Sequence, residues 1–315
     1  MAATPMPAHL ARAASGRMMD QPLVTALDGL LERQPRGARV PVIFTSPHSG
    51  RDYPADFVAS ARLDAQSLRR SEDCFVDELF AAAPDCGAVL LAARFPRVFC
   101  DVNREQWELD PAMFADALPA FVNRASPRVE AGLGTIPRIA AAGAPIYRQR
   151  LSFAEAKTRI ETCWVPFHRR LAALIEETKA AFGACLLIDC HSMPSVSLAG
   201  LGRVDTVLGD AHGTSCAGAV TARIDALLRA EGFMVQRNTP YAGGYITRHY
   251  GRPREGVHAV QIELARRLYM DEARLTPSAD FAALQQAMTR LIAWLADEAA
   301  ALMADGALTH RALEK

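Results

Sequence analysis

The 315-residue chain has no C-x-x-C pair among its seven cysteines. An odd count, with Cys100, Cys185 and Cys190 inside or at the ends of apolar runs, speaks against a disulfide framework and for buried thiols in a reduced, cytoplasmic protein. No apolar run approaches the roughly 18–20 residues of a membrane span. The first 20 residues lack the apolar stretch of a secretory signal. Neither charge is in excess: 35 basic side chains face 35 acidic ones, which argues against a general nucleic-acid or polyanion binder. No G-x-x-x-x-G-K-[ST] or G-x-G-x-x-G follows an apolar run, so phosphate-loop and dinucleotide readings fail. Lysine is scarce, with Lys157, Lys179 and Lys315 alone, and the arginine and alanine bias suggests a GC-rich bacterial genome.

What is present is ample core material, since 50% of the residues are apolar. Residues 1–20 read as a disordered leader with a transit-peptide-like bias, or else the true start is Met18 or Met19. Residues 21–315 read as a single α/β catalytic domain. Buried strands are expected over Val40–Thr45, Ala88–Ala92, Val98–Val102, Ala184–Cys190, Thr206–Leu208, Phe233–Gln236 and Ala259–Leu264. Between them, Val76, Leu79, Phe80 and Ala83 repeat at helical spacing. Ser152 and Glu155 form a capping box for a long helix that Pro166 should kink and Gly183 should end. Further helices are expected from about Ser215 to Glu231 and from Ala279 to Ala304. Strands alternating with helices imply a largely parallel or mixed sheet. Two long stretches, Trp107–Arg150 and Asn238–Pro253, break the pattern and carry the aromatics and arginines of functional loops.

Ligands of open α/β sheets bind at the carboxyl ends of strands. Three such ends here carry metal-competent or acid–base residues: His48 in VPVIFTSPHSG, His191 in ACLLIDCHS, and Glu263 in HAVQIEL. Ser71–Glu72–Asp73 adds a polar cluster before Val76. Two histidines and a carboxylate, with a position left for water, make a common catalytic zinc site. In ARFPRVFCDVNR, Asn103 and Arg104 are suited to gripping a carboxylate through the guanidinium fork. A salt bridge from Arg104 to Glu105 or Asp101 explains the same pattern equally well. His168, mid-helix beside Trp164 and Phe167, reads as a packed residue; His212 reads as a supporting one, and His9 and His310 as terminal.

These motifs in this order resemble the N-formylglutamate amidohydrolase family: SPHSG at 46–50, ED at 72–73, RVFCDVNR at 97–104, GLGTIPRI at 132–139, WVPFH at 164–168, IDCHS at 188–192, DTVLGDAHGTSC at 205–216, PYAGGYITRHYGRP at 240–253 and HAVQIELARRLYMDE at 258–272. The resemblance runs from about residue 40 to about 290. It implies a three-layer αβα fold with a mixed, largely parallel central sheet, similar to zinc carboxypeptidases. It also implies one Zn2+ per chain on His48, Asp73 and His191, with Glu72 the alternative to Asp73. Glu263 matches the general acid/base, Arg97 the carbonyl-polarising arginine, and Asn103 with Arg104 the pair that grips a substrate carboxylate. Arg138, Arg148, Arg203 and Arg248 are candidates for a second carboxylate, Arg148 being the one chosen, and Tyr241 and Tyr245 for closing over the substrate. The implied reaction is hydrolysis of N-formyl-L-glutamate to formate and glutamate, metal-bound water attacking the formyl carbon. The implied partner is therefore a small molecule, with no nucleic acid and no membrane. Alternatives are a related zinc amidase acting on another N-acyl acidic amino acid or short peptide, and a non-catalytic acidic amino-acid binder of the same fold.

Overall fold

The computed structural model describes residues 24–27 and 29–312; the leader expected over 1–20, with His9, lies outside them. Eight strands build one sheet: β1 (Val24–Leu27), β2 (Leu30–Arg33), β3 (Val42–Ser46), β4 (Val89–Ala93), β5 (Cys185–Met193), β6 (Thr206–Gly209), β7 (Val235–Arg237) and β8 (Val257–Ala265). Their order across the sheet is β1-β2-β4-β3-β5-β8-β6-β7. The central strands β4, β3, β5 and β8 run parallel, while β2 and β6 lie antiparallel to them on either side. The main helices are α1 (Val76–Leu79), α2 (Phe153–Arg159), α3 (Val165–Phe182), α4 (Gly218–Ala230), α5 (Tyr245–Tyr250) and α6 (Phe281–Ala312). Among the described residues, no helix is long and apolar enough to cross a membrane.

Parallel strands covered on both faces are largely apolar, and β5 and β8 are buried at every residue. Period-two alternation divides their side chains between two cores. Val42, Phe44, Leu90, Leu186, Ile188, Val260 and Ile262 pack against Val220 and Ile224 of α4 and Met288 and Ile292 of α6. Ile43, Val89, Leu91, Leu187 and Ala259 pack against Phe167, Leu171 and Leu174 of α3. The result is the expected three-layer αβα arrangement with a mixed, largely parallel sheet.

The capping box forms as expected, with the Ser152 hydroxyl accepting from the Glu155 N–H and the Glu155 carboxylate accepting from the Ser152 N–H. The interruption expected at Pro166 takes the form of a π-helical turn over Ile160–Trp164. Pro166 has no N–H for the carbonyl four residues back, and the wider turn absorbs that loss. Gly183 ends α3 in the left-handed region, φ 78°.

One expected strand does not exist. Val98–Val102 is a looped segment in which Phe99 and Cys100 both donate to the Pro96 carbonyl, and Asp101 donates to Thr135. Its apolar run imitates a strand, but Val98 packs into one cluster and Cys100 and Val102 into another. The β1–β2 hairpin was not anticipated, because LLER in β2 mixes apolar and charged residues over only four positions.

Phe44 is fully buried in the middle of β3, its ring 5.8 Å from that of Phe80. Replacing Phe44 by Ala is expected to cost about 3–5 kcal/mol, read as a lower urea midpoint with an unchanged m value.

Candidate metal and catalytic centre

The alternation that fills the α3-side core turns polar at the carboxyl ends of the strands. Along β5 the same face carries Leu187, then Asp189, then His191; along β8 it carries Ala259, Gln261 and Glu263. Register sets Asp189 opposite Gln261 and His191 opposite Glu263. Thr45 at the end of β3 lies opposite Asp189 and donates its hydroxyl to Asp189 Oδ1 at 2.9 Å. His48 follows β3 after Ser46 and Pro47. The Asp73 N–H donates to the His48 carbonyl at 2.9 Å, tying the turn before α1 to this loop.

His48, Asp73 and His191 converge, their ligand atoms within 4.8 Å of one another and all three residues buried. Asp73 Oδ2 lies 2.9 Å from His191 Nδ1 and 3.5 Å from His48 Nδ1. The far nitrogen of each ring meets another carboxylate: His48 Nε2 lies 2.7 Å from Asp101 Oδ1, and His191 Nε2 lies 3.0 Å from Asp189 Oδ2. A neutral imidazole carries one N–H, and these carboxylates hold it on Nε2, so the Nδ1 lone pairs face Asp73. His48 Nδ1 is buried without a hydrogen-bond partner, which is costly for a polar atom but fitting for a ligand. Two imidazole nitrogens and a carboxylate oxygen are a donor set suited to Zn2+, so the residues fit the metal that the motifs imply.

Electrostatics point the same way. Burial opposes a charge on His191, yet Asp189 and Asp73 outweigh it and hold the imidazole pKa well above its usual value. A field that stabilises an imidazolium also stabilises a dication. Burial works against ionised Asp73, but His191 and His48 keep its pKa well below the ordinary carboxylate range. Asp101 is likewise held low, with Arg97, His48 and Arg104 overcoming burial.

The structure brings in Asp73 and turns Glu72 away. Glu72 accepts from Tyr53 Oη at 2.7 Å, Arg69 Nε at 3.2 Å and Cys74 Sγ at 3.3 Å. Asp73 Oδ1 is held by Arg266 Nη2 at 3.2 Å and Ser192 Oγ at 3.3 Å, leaving Oδ2 to the histidines. Arg266 is buried, and sequence reasoning missed it along with Asp101 and Asp189 as partners of the triad. For Asp189 a signal existed, since it lies on the His191 face of a strand; for Arg266 there was none.

Glu263 is buried, and its Oε1 accepts from Gln261 Nε2 at 2.8 Å. Burial pushes its carboxyl up to about 7, with Asp73 and Asp189 adding to the rise and His191 and Arg97 opposing it. Arg97 donates to Asp101 Oδ2 at 2.8 Å and also feels Asp73 and Glu263. Arg104 donates through Nε to Leu133 O at 2.8 Å and through Nη1 to Asn103 O at 2.7 Å, with Nη2 3.8 Å from Asp101 Oδ2. The Asn103 side chain is committed: Nδ2 lies 3.3 Å from Asp189 Oδ2, and Oδ1 accepts from the Ile246 N–H at 2.8 Å. Tyr245 packs half-buried between Trp164 and His249, its N–H reaching Asn103 O at 3.4 Å.

The other candidates are placed as follows. Arg148 donates to Ala61 O and borders a hollow with Ser60, Tyr147 and Leu151, none of them a partner of the triad. Arg138 pairs with Asp110 and Arg203 with Asp205, whereas Arg248 sits on α5 and donates to Gly243 O. Tyr241 donates to Ser197 Oγ. His168 is a packed residue, as expected: burial lowers its pKa to about 3, and its Nε2 meets Val102 O at 2.7 Å. His212 is exposed in its turn and outside the triad's hydrogen-bond partners.

The family model of N-formylglutamate amidohydrolase matches residues 40–270. An N-formylglutamate deformylase of Pseudomonas aeruginosa is 36% identical over 267 residues, covering 81% of this chain and 94% of that protein. One of Pseudomonas putida is 30% identical, covering 82% and 95% respectively. The crystal structure of an N-formylglutamate amidohydrolase from Ralstonia eutropha JMP134 superposes with a TM-score of 0.81 at 36% identity, over 86% of this chain and 98% of that one.

Asp73→Asn is expected to lower metal content after dialysis far below that of the unaltered chain, while Glu72→Gln keeps it, measured by inductively coupled plasma mass spectrometry. The opposite pattern would make Glu72 the ligand.

Proposed function

Because the chain belongs to the N-formylglutamate amidohydrolase family, we propose that it hydrolyses N-formyl-L-glutamate to formate and L-glutamate, with one Zn2+ held by His48, Asp73 and His191. The observation that carries this reading is a buried carboxylate, Glu263, held in register with the candidate ligand His191 where burial raises its pKa. Bound Zn2+ supplies Lewis acidity, lowering the pKa of water and polarising a carbonyl.

The chain's own groups then divide the work. Ionised Glu263 takes a proton from the attacking water and returns it to the leaving amine nitrogen. Arg97 offers positive charge to the oxygen on which negative charge develops. Arg104 receives one substrate carboxylate, and Asn103 steadies that guanidinium through its carbonyl, 2.7 Å from Nη1. Arg248, on the same helix as Tyr245, is favoured over Arg148 for the second carboxylate, since the hollow beside Arg148 holds no partner of the triad. Tyr245 covers the edge of the site. In this reading residues 21–315 act as one catalytic domain, in the cytoplasm, at the end of one route of histidine degradation.

The deciding experiment follows formate release from N-formyl-L-glutamate by purified protein, beside N-acetylglutamate and a chelated sample. Release that stops on chelation and returns with zinc supports the reading. Turnover of the acetyl substrate alone moves the activity to a related amidase, and turnover of neither leaves an acidic amino-acid binder.

Glu263→Gln should lose about 10²–10⁴ in kcat while keeping zinc; full activity would remove the carboxylate from the mechanism. kcat/KM should rise with pH along an acid limb, because only the ionised form is a base. Burial sets that limb near 7 and a bound dication moves it lower. Arg97→Gln deletes a charge that lowers the Glu263 pKa, so the limb should shift to higher pH. An unmoved limb would assign it to another group.

A further inference from the structure

We propose that Gln261 is a positioning residue that aims the Glu263 carboxylate and makes its aim depend on the seating of the Ala242–Gly244 loop; this rests on the role of Glu263 proposed above. Gln261 and Glu263 are two apart on one strand, so their side chains rise from the same face. Gln261 Nε2 donates to Glu263 Oε1 at 2.8 Å. Its other end accepts from the Gly244 N–H at 2.8 Å. An amide has one acceptor end and one donor end. A backbone N–H can only donate, so Gly244 fixes the oxygen toward the loop and thereby the nitrogen toward Glu263. One carboxylate oxygen is thus occupied, and the other is left for proton transfer.

Gly244 joins this relay to the ligand side of the site. A Cβ added there would stand 2.3 Å from Asn103 Nδ2 and 2.4 Å from Asn103 Oδ1. The loop can therefore lie close enough to reach Gln261 only with glycine at this position. Asn103 meanwhile contacts Asp189, the carboxylate behind His191. One loop residue is thus wedged between the group that aims the base and a group that steadies a ligand's partner. Gln261 is not itself a catalytic residue: both ends of its amide are engaged within the protein.

The test compares Gln261→Met and Gln261→Glu with the unaltered chain, using kcat, KM, zinc content and crystal structures of the zinc-loaded proteins. Met keeps the length and loses both hydrogen bonds; Glu keeps the shape and the bond from Gly244 but sets a carboxylate against Glu263. The expected result is a fall in kcat of about 10- to 100-fold for Met, a larger fall for Glu, KM within about threefold and zinc retained. The Glu263 side chain should be displaced in both structures. A residue that only fills space would give the reverse order, with the isosteric Glu nearer to the unaltered chain, and that order would overturn the proposal. So would an unmoved Glu263 carboxylate in Gln261→Met, an observation that stands even if the unaltered chain releases no formate. Absence of formate release from the unaltered chain itself would instead count against the proposed reaction.

Discussion

Asp73 carries its charge almost wholly out of water, and much of the site follows from the need to compensate it. One oxygen is held by Arg266 and Ser192, and the other faces two imidazoles. Each imidazole is backed by a further buried carboxylate, Asp101 or Asp189. Asp101 in turn requires Arg97, and Asp189 requires Thr45 and Asn103. A buried carboxylate thus recruits a network in which every added acid needs another donor. The network ends where a cation fits, at the unpartnered Nδ1 of His48.

This arrangement depends on the sheet. In β5 and β8 the alternation that puts Leu187 and Ala259 against α3 puts His191 and Glu263 on the same face farther along. The backbone positions of those two groups are fixed, because adjacent parallel strands set their spacing. His48, Asp73 and the arginine segment come from outside the strands. Backbone hydrogen bonds, Asp73 to His48 O and Asp101 to Thr135 O, hold them in turn. A metal ligand set needs such constraint, since small displacements of its members cost affinity.

The irregular segments are part of the same economy. The π-helical turn at Ile160–Trp164 presents Trp164, whose indole N–H donates to Arg104 O at 2.9 Å. The Trp164 ring stacks near His168 and Tyr245, so the helix break, the arginine segment and α5 meet at one place. His168 stays neutral there because burial lowers its pKa to about 3. Its packing, not its charge, is what the site uses.

The sequence by itself determined the layer architecture, because apolar runs and capping signals are local, and it supplied the chemistry-bearing residues at three strand ends. Motif resemblance added their assignment. It did not determine that Val98–Val102 is looped, since a short apolar run packing into two clusters looks like a strand in one dimension. Nor did it separate Asp73 from Glu72, which differ by one position and meet different partners. Only the tertiary structure decided which of the two faces the histidines, through Arg266 and Ser192 on one carboxylate and Tyr53, Arg69 and Cys74 on the other. The physical reason is that a carboxylate's direction is set by partners remote in the chain, 193 residues away for Arg266 and Asp73, and spacing along a sequence carries no record of them.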